Sequence, residues 1–264
     1  MNSLKRSVFF LLAVLFCSAF FMEVPGAVLA ADKTVTVFAA ASMAESMNQI
    51  ADLYKKIAPG VKIVYNFDSS GTLKTQIEQG ADCDLFISAG QKQMDQIEQK
   101  FVLPGTRFNL VSNTVVLIVP KGHNPNKINS FKDVITNKVS MIALGNADVP
   151  VGQYSQEIFT HLGIGEKLNA LNRISFAGNV KEVLAQVAAG AVDCGVVYST
   201  DTATSKGVDV VAKAPEKSHQ PITYPIAIIK GSKEEAAAKK FAAFLKSEAA
   251  TSVLKSVGFA IPKR

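Results

Sequence analysis

The chain has 264 residues, a formal net charge of +6, 48% hydrophobic and 19% charged residues, and three cysteines. That is enough chain for one large or two modest domains, and the composition excludes collagen-like, low-complexity and disulfide-scaffold classes. The lysines are scattered without a block of like charge, which excludes a nucleic-acid stripe and leaves a mildly basic, solvated surface.

The N-terminus reads as a targeting segment. Lys5 and Arg6 form a basic region, Val8 to Met22 is almost wholly apolar, and Ala27, Ala30 and Ala31 follow. This is the pattern of a secretory signal peptide over residues 1–30, cleaved near Ala30 or Ala31. The apolar run is short for a membrane span of about 20 residues. Cys17 follows Phe16 inside that run, so no lipoprotein cysteine is evident and a periplasmic location is expected. Cleavage removes Lys5, Arg6 and Glu23, which lowers the net charge by one. Cys83 and Cys194 remain, with no CxxC or Cys/His spacing for a metal, and both are expected as free thiols.

Beyond residue 31 the chain alternates between apolar strands and amphipathic helices. Val35 to Phe38 predicts a strand. Met43, Met47, Ile50, Leu53, Tyr54 and Ile57 then recur at helical spacing. Val61 to Phe67 is the next strand, and Asp68-Ser69-Ser70-Gly71-Thr72 is a polar turn into a helix closed by Gly80. A short strand over 84–88 and a helix over 91–100 follow. Residues 113–121 predict a long apolar strand that opens a second cycle. That cycle has a helix near 133–137, a strand over 139–144, Val149-Pro150-Val151-Gly152 before a helix, a strand over 173–176, Gly178-Asn179 before a helix from Val180, and a strand over 192–199. A helical turn over 201–205, a strand over 208–212, a long strand over 222–230 interrupted by Pro225, helices over 233–247 and 249–256, and a terminal strand over 259–262 complete the chain. This alternation predicts an α/β fold with a largely parallel sheet.

One internal echo stands out. Gln76 to Ser88 resembles Gln186 to Ser199: each is a helix end, a glycine, and a buried strand closing in serine. Two similar lobes would produce it, with strands 113–121 and 222–230 as the two crossings. The first lobe would then comprise residues 31–112 plus 222–264, and the second residues 113–221.

In open α/β sheets ligands bind beyond the carboxyl ends of strands, at helix N-termini. Four such points occur: Ser42 after three alanines, Ser69 or Ser70, Val151 after Pro150, and Val180 after Asn179. They offer hydroxyls and main-chain N–H groups and hardly any charge, which suits a small, fully deprotonated anion. Tyr198, at the end of a strand, could bring a phenol to the same place. An enzyme has less support. His123, His161 and His219 lie at no readable spacing from a serine, and no Gly-x-Ser-x-Gly elbow, phosphate loop or Gly-x-Gly-x-x-Gly occurs.

The motifs Thr36 to Ser42, Phe67 to Leu73, Gln76 to Asp82, Asp84 to Ala89, Val149 to Gly152, Val196 to Tyr198 and Tyr224 to Ala227 together resemble those of the periplasmic molybdate-binding proteins of ABC importers. The resemblance implies a two-lobed periplasmic binding protein of type II, each lobe a mixed sheet flanked by helices, joined by two crossover strands. It implies capture of molybdate or tungstate, delivery to the membrane permease of a molybdate ABC transporter, no cofactor and no enzymatic activity. It also carries ligand roles onto Ser42 and Ser70 (hydroxyl and N–H), Val151 and Val180 (N–H) and Tyr198 (phenol). No metal is ligated directly, because molybdenum would enter only as its oxyanion. A monomer without nucleic-acid partners is expected, and Asp68 is expected outside the cleft, since a carboxylate would repel a dianion. A receptor for sulfate or another oxyanion, and a secreted α/β hydrolase using Ser42 or Ser70, are the alternative readings.

Overall fold

A computed structural model describes residues 33–262. The signal-peptide reading falls outside the described residues. Within them, two five-stranded mixed sheets are flanked by helices.

The first sheet is entered by β1 (Lys33–Ala40), which runs through a 3-10 turn (Ala41–Met43) into α1 (Ala44–Ile57). The predicted helical stripe is real for Met43, Met47, Ile50 and Tyr54, which are buried in one cluster with Val35, Val37 and Ala39. Ile57 is 64% exposed, because it is the last residue of α1 and lies where the chain turns out through Pro59. β2 (Val61–Asp68), α2 (Ser70–Glu78), β3 (Leu85–Ile87), α3 (Gln91–Phe101) and β4 (Phe108–Ser112) follow.

The second sheet contains β5 (Val115–Pro120), β6 (Ile142–Gly145), β7 (Ile174–Ala177), β8 (Cys194–Tyr198) and β9 (Val208–Lys213). Its helices are α4 (Pro150–His161), α5 (Gly165–Ala170), α6 (Val180–Ala188) and α7 (Ser199–Ala203), with a 3-10 turn at Phe131–Ile135. The chain then returns to the first sheet as β10 (Thr223–Ile228) and ends in α8 (Glu235–Phe244) and α9 (Glu248–Ser256).

The strand orders are β2-β1-β3-β10-β4 and β7-β6-β8-β5-β9. In each sheet four strands run the same way and one, β10 or β5, runs against them, so two of the four pairings are parallel and two antiparallel. The sheets are therefore mixed, not largely parallel. Every antiparallel pair involves β10 or β5, the strand by which the chain enters each sheet from the other one without a helix crossover. The sequence echo has a structural counterpart. α2, Gly80 and β3 hold the same place in the first sheet as α6, Gly190 and β8 hold in the second. Both glycines take positive φ (88° and 68°), the left-handed conformation that ends a helix.

Four details depart from the sequence reading. β4 and α5 were not anticipated, because Phe108–Ser112 alternates weakly and α5 is only six residues long. Residues 259–262 form one bridge, Ala260 to Ser112, and no strand. α2 and α4 begin about three residues earlier than periodicity suggested, since their first turns carry Ser-Gly and Pro-Val-Gly in place of apolar repeats. The long apolar strands each lie in one sheet, so the two passages between sheets are Asn113–Thr114 and residues 214–222 beside them. Cys83 and Cys194 are buried and unbridged, and burial pushes the Cys83 thiol up to about 12.

Candidate functional site

Six strand ends face one another. β1, β2 and β3 are parallel, as are β6, β7 and β8, so each sheet presents three carboxyl ends on one edge. Residues at and just beyond these ends line a single small cavity. From the first sheet come Ala40, Ala41 and Ser42 at the end of β1, Asp68, Ser69 and Ser70 at the end of β2, and Ala89 after β3. From the second come Val149, Pro150 and Val151 after β6, Val180 after β7, and Tyr198 at the end of β8. All five residues singled out in the sequence are in this lining.

The helix starts leave donors open. Asn179 caps α6: its side-chain oxygen accepts from Glu182 N–H, which leaves Val180 N–H without a partner in the helix. Ser69 does the same for α2 by accepting from Thr72 N–H at 3.1 Å. The two serines therefore differ. Ser69 Oγ is committed to the cap, whereas Ser70 Oγ accepts from Ala89 N–H at 2.9 Å and keeps its own proton to give. In α4, Pro150 holds the first position and lacks an N–H, so Val151 carries the first open donor. Gly152 follows because a Cβ there would lie 2.2 Å from the carbonyl oxygen of Gly145, at the end of β6.

Tyr198 is 1% exposed, and burial holds its phenol well above the ordinary tyrosine value, so it stays protonated. Its hydroxyl lies 3.5 Å from the Ala89 carbonyl oxygen, a long contact that leaves the proton available. Among the described residues, no lysine, arginine or histidine lines the cavity. Its positive potential comes from helix N-termini, on the order of half a charge each.

Asp68 is the correction. It lines the cavity and does not lie outside it. Its Oδ1 accepts from Ser69 N–H at 2.6 Å, and Asn179 Nδ2 of the opposite rim lies 3.5 Å from the same oxygen, a long contact. The carboxylate is thus held chiefly by its own turn, with an amide of the opposite rim beside it. Sequence reasoning also missed Ala89. The signal was present, since Ser88-Ala89 ends the third parallel strand and small residues follow strand ends at the other points too.

The rims touch around the cavity. Lys181 Nζ, on α6, lies 2.9 Å from both carboxylate oxygens of Glu45 on α1. It also lies 3.4 Å from Asp201, whose carboxyl is pushed up to about 6 by burial against the opposing pull of Lys181. Gln93 Nε2 donates to Gln153 Oε1 at 3.2 Å, and Gly71 abuts the main chain of Asp148. The arrangement is closed.

Residues 35–260 match the family described as bacterial extracellular solute-binding protein. The chain belongs to this family. Its relatives point to one branch of it. The molybdate-binding protein ModA of Haemophilus influenzae is 39% identical over 234 residues, 87% of this chain and 91% of that protein. The ModA of Escherichia coli is 38% identical over 251 residues, 92% and 95%. The solved periplasmic molybdate-binding protein of Azotobacter vinelandii superposes with a TM-score of 0.77 at 29% identity, covering 87% of this chain and 100% of that one. The sulfate-binding protein SubI of Mycobacterium tuberculosis, at 16% identity and a TM-score of 0.70, shares the fold. Family members are solute-binding proteins, and the cavity between the two sheet edges has the form such a role requires.

Proposed function

We propose that this protein captures molybdate, and with it tungstate, between two lobes outside the cytoplasm and hands it to the permease of an ABC importer. One observation carries the reading. The open donors of Ser42, Ser70, Val151, Val180 and Tyr198 converge on a single small cavity whose described lining holds no cationic side chain. Neutral donors and helix ends favour a dianion without binding it irreversibly. The near relatives named for molybdate binding support the choice of ion.

The lobes in this reading are residues 31–112 with 222–264, and residues 113–221. They swing about the two passages between sheets, and the ion holds them together. Ser42 and Ser70 each give a hydroxyl and an N–H, Val151 and Val180 give N–H groups, and Tyr198 gives its phenolic proton. No step in this role breaks or makes a covalent bond, and neither serine has a histidine among its hydrogen-bond partners. The chain acts as a monomer after loss of its signal peptide.

Calorimetric titration tests the function. Molybdate and tungstate should bind at one site, with little heat released by sulfate or hydrogenphosphate at the same concentrations, and silence toward molybdate would overturn the proposal. Tyr198→Phe should weaken molybdate binding by roughly 1–3 kcal/mol, the range for an acceptor on a charged ligand left without its donor. Unchanged affinity would remove Tyr198 from the contacts.

A further inference from the structure

Tyr224 belongs to no contact described so far, yet it is fully buried beside the site. It lies on β10 where the pairing with β4 shifts register between Tyr224 and Pro225. Its ring is held edge-on by Tyr198 at 5.9 Å and Phe259 at 5.4 Å. Its hydroxyl lies 2.9 Å from Ser42 Oγ and 3.2 Å from Asn113 Nδ2.

Up to the Tyr224 oxygen, every bond in this relay has a fixed direction. Thr114 N–H can only donate, and it donates to Asn113 Oδ1 at 2.9 Å. Asn113 Nδ2 is therefore the amide nitrogen, and it must donate, to Thr200 Oγ1 at 2.9 Å and to the Tyr224 oxygen. The last bond joins two hydroxyls and could run either way, but a Tyr224 phenol that accepted from both Asn113 and Ser42 would keep its own proton buried and unpaired among the described residues, so it donates to Ser42 Oγ. Ser42, receiving that proton, must direct its own hydrogen elsewhere, and the cavity is where it faces. Ser70 reaches the same state through Ala89 N–H. For Ser70 the main chain enforces it, and for Ser42 a replaceable side chain does.

We infer that Tyr224, oriented by Asn113, holds Ser42 as a hydrogen-bond donor and so denies an oxyanion that carries a proton an acceptor at this position, leaving Asp68 as the acidic residue of the lining. The inference rests on the oxyanion-binding function proposed above. Tyr224 is a positioning residue that touches no ligand. Burial keeps its phenol protonated, as the relay requires. A protonated oxyanion needs an acceptor at its hydroxyl, and a serine free to turn would supply one.

Sulfate and hydrogenphosphate separate this effect from size. Above neutral pH both are tetrahedral dianions of similar radius, and only the second carries a proton. Each would be titrated in competition with molybdate against the unaltered chain, Tyr224→Phe and Asn113→Asp, with melting temperatures measured in parallel. In Tyr224→Phe the preference for sulfate over hydrogenphosphate should narrow by about tenfold, the weight of one hydrogen bond, while molybdate affinity falls only a few-fold. Asn113→Asp should narrow it further, because a carboxylate takes the Tyr224 proton and leaves Ser42 to present a lone pair. Parallel weakening of all three anions, with the sulfate-to-hydrogenphosphate ratio unchanged in both variants, would overturn the inference while leaving the function intact. Failure of the unaltered chain to bind any of the three would overturn the function, and the inference with it.

Discussion

Gly71→Ala should cost molybdate affinity at least a hundredfold while leaving the ligand-free protein as stable as before, or slightly more so. Gly71 is the second residue of α2, and a Cβ built there would lie 2.3 Å from the carbonyl oxygen of Asp148 and 2.9 Å from its Cβ. Asp148 belongs to the opposite rim, in the turn before α4. The atom met first is main chain, so no side-chain rotation relieves the overlap. One methyl therefore acts as a spacer between the rims and keeps Val151 and Val180 from reaching an anion held by Ser42 and Ser70. Alanine is otherwise welcome within a helix, by about 0.5–1 kcal/mol over glycine. A thermal melt without ligand and a molybdate titration read the two effects separately. A large loss of melting temperature without ligand, or an unchanged affinity, would contradict the spacer argument.

Val180→Pro should also reduce affinity, by about ten- to a hundredfold, through a different cause. Val180 is the first residue of α6, the position where proline is tolerated because its N–H has no helical partner. The preceding Asn179 is already extended, with φ −154° and ψ 172°, as a residue before proline must be. The helix and its cap should survive. The variant loses one charge-assisted N–H donor, worth about 1.5–3 kcal/mol, and a ring carbon takes its place in the cavity wall. Circular dichroism should show no change, whereas titration should show the loss. Wild-type affinity in a folded variant would mean that this N–H does not touch the ion.

The site was more legible in the sequence than the sheet order was. Ser42, Ser70, Val151, Val180 and Tyr198 all line the one cavity because helix starts and strand ends have local signatures. These are a capping Asn179, a Pro150 at the first helical position, and small residues before Ser42. Asp68 was misplaced for the opposite reason. A carboxylate in an anion site looks unfavourable from the chain alone, but its Oδ1 is taken up by Ser69 N–H and faces Asn179, 111 residues away in sequence. β4 escaped notice because its alternation is weak and its pairing is with β10, from the far end of the chain. The assignment of 259–262 as a strand failed similarly, since a single bridge to Ser112 satisfies that segment.

By itself the sequence determined the alternation of strands and helices, the paired cycles, and the scarcity of charged side chains at the helix starts. These follow from residue type and short-range spacing, which act through local dihedral preference and periodic burial. The tertiary structure alone decided that six strand ends form one cavity and that Gly71 must be glycine. It also decided that Thr114, Asn113, Tyr224 and Ser42 form a chain of directed hydrogen bonds. Each of those depends on approach between residues far apart in the chain, down to tenths of an ångström. No local preference encodes such distances, because they are set by how two packed sheets meet.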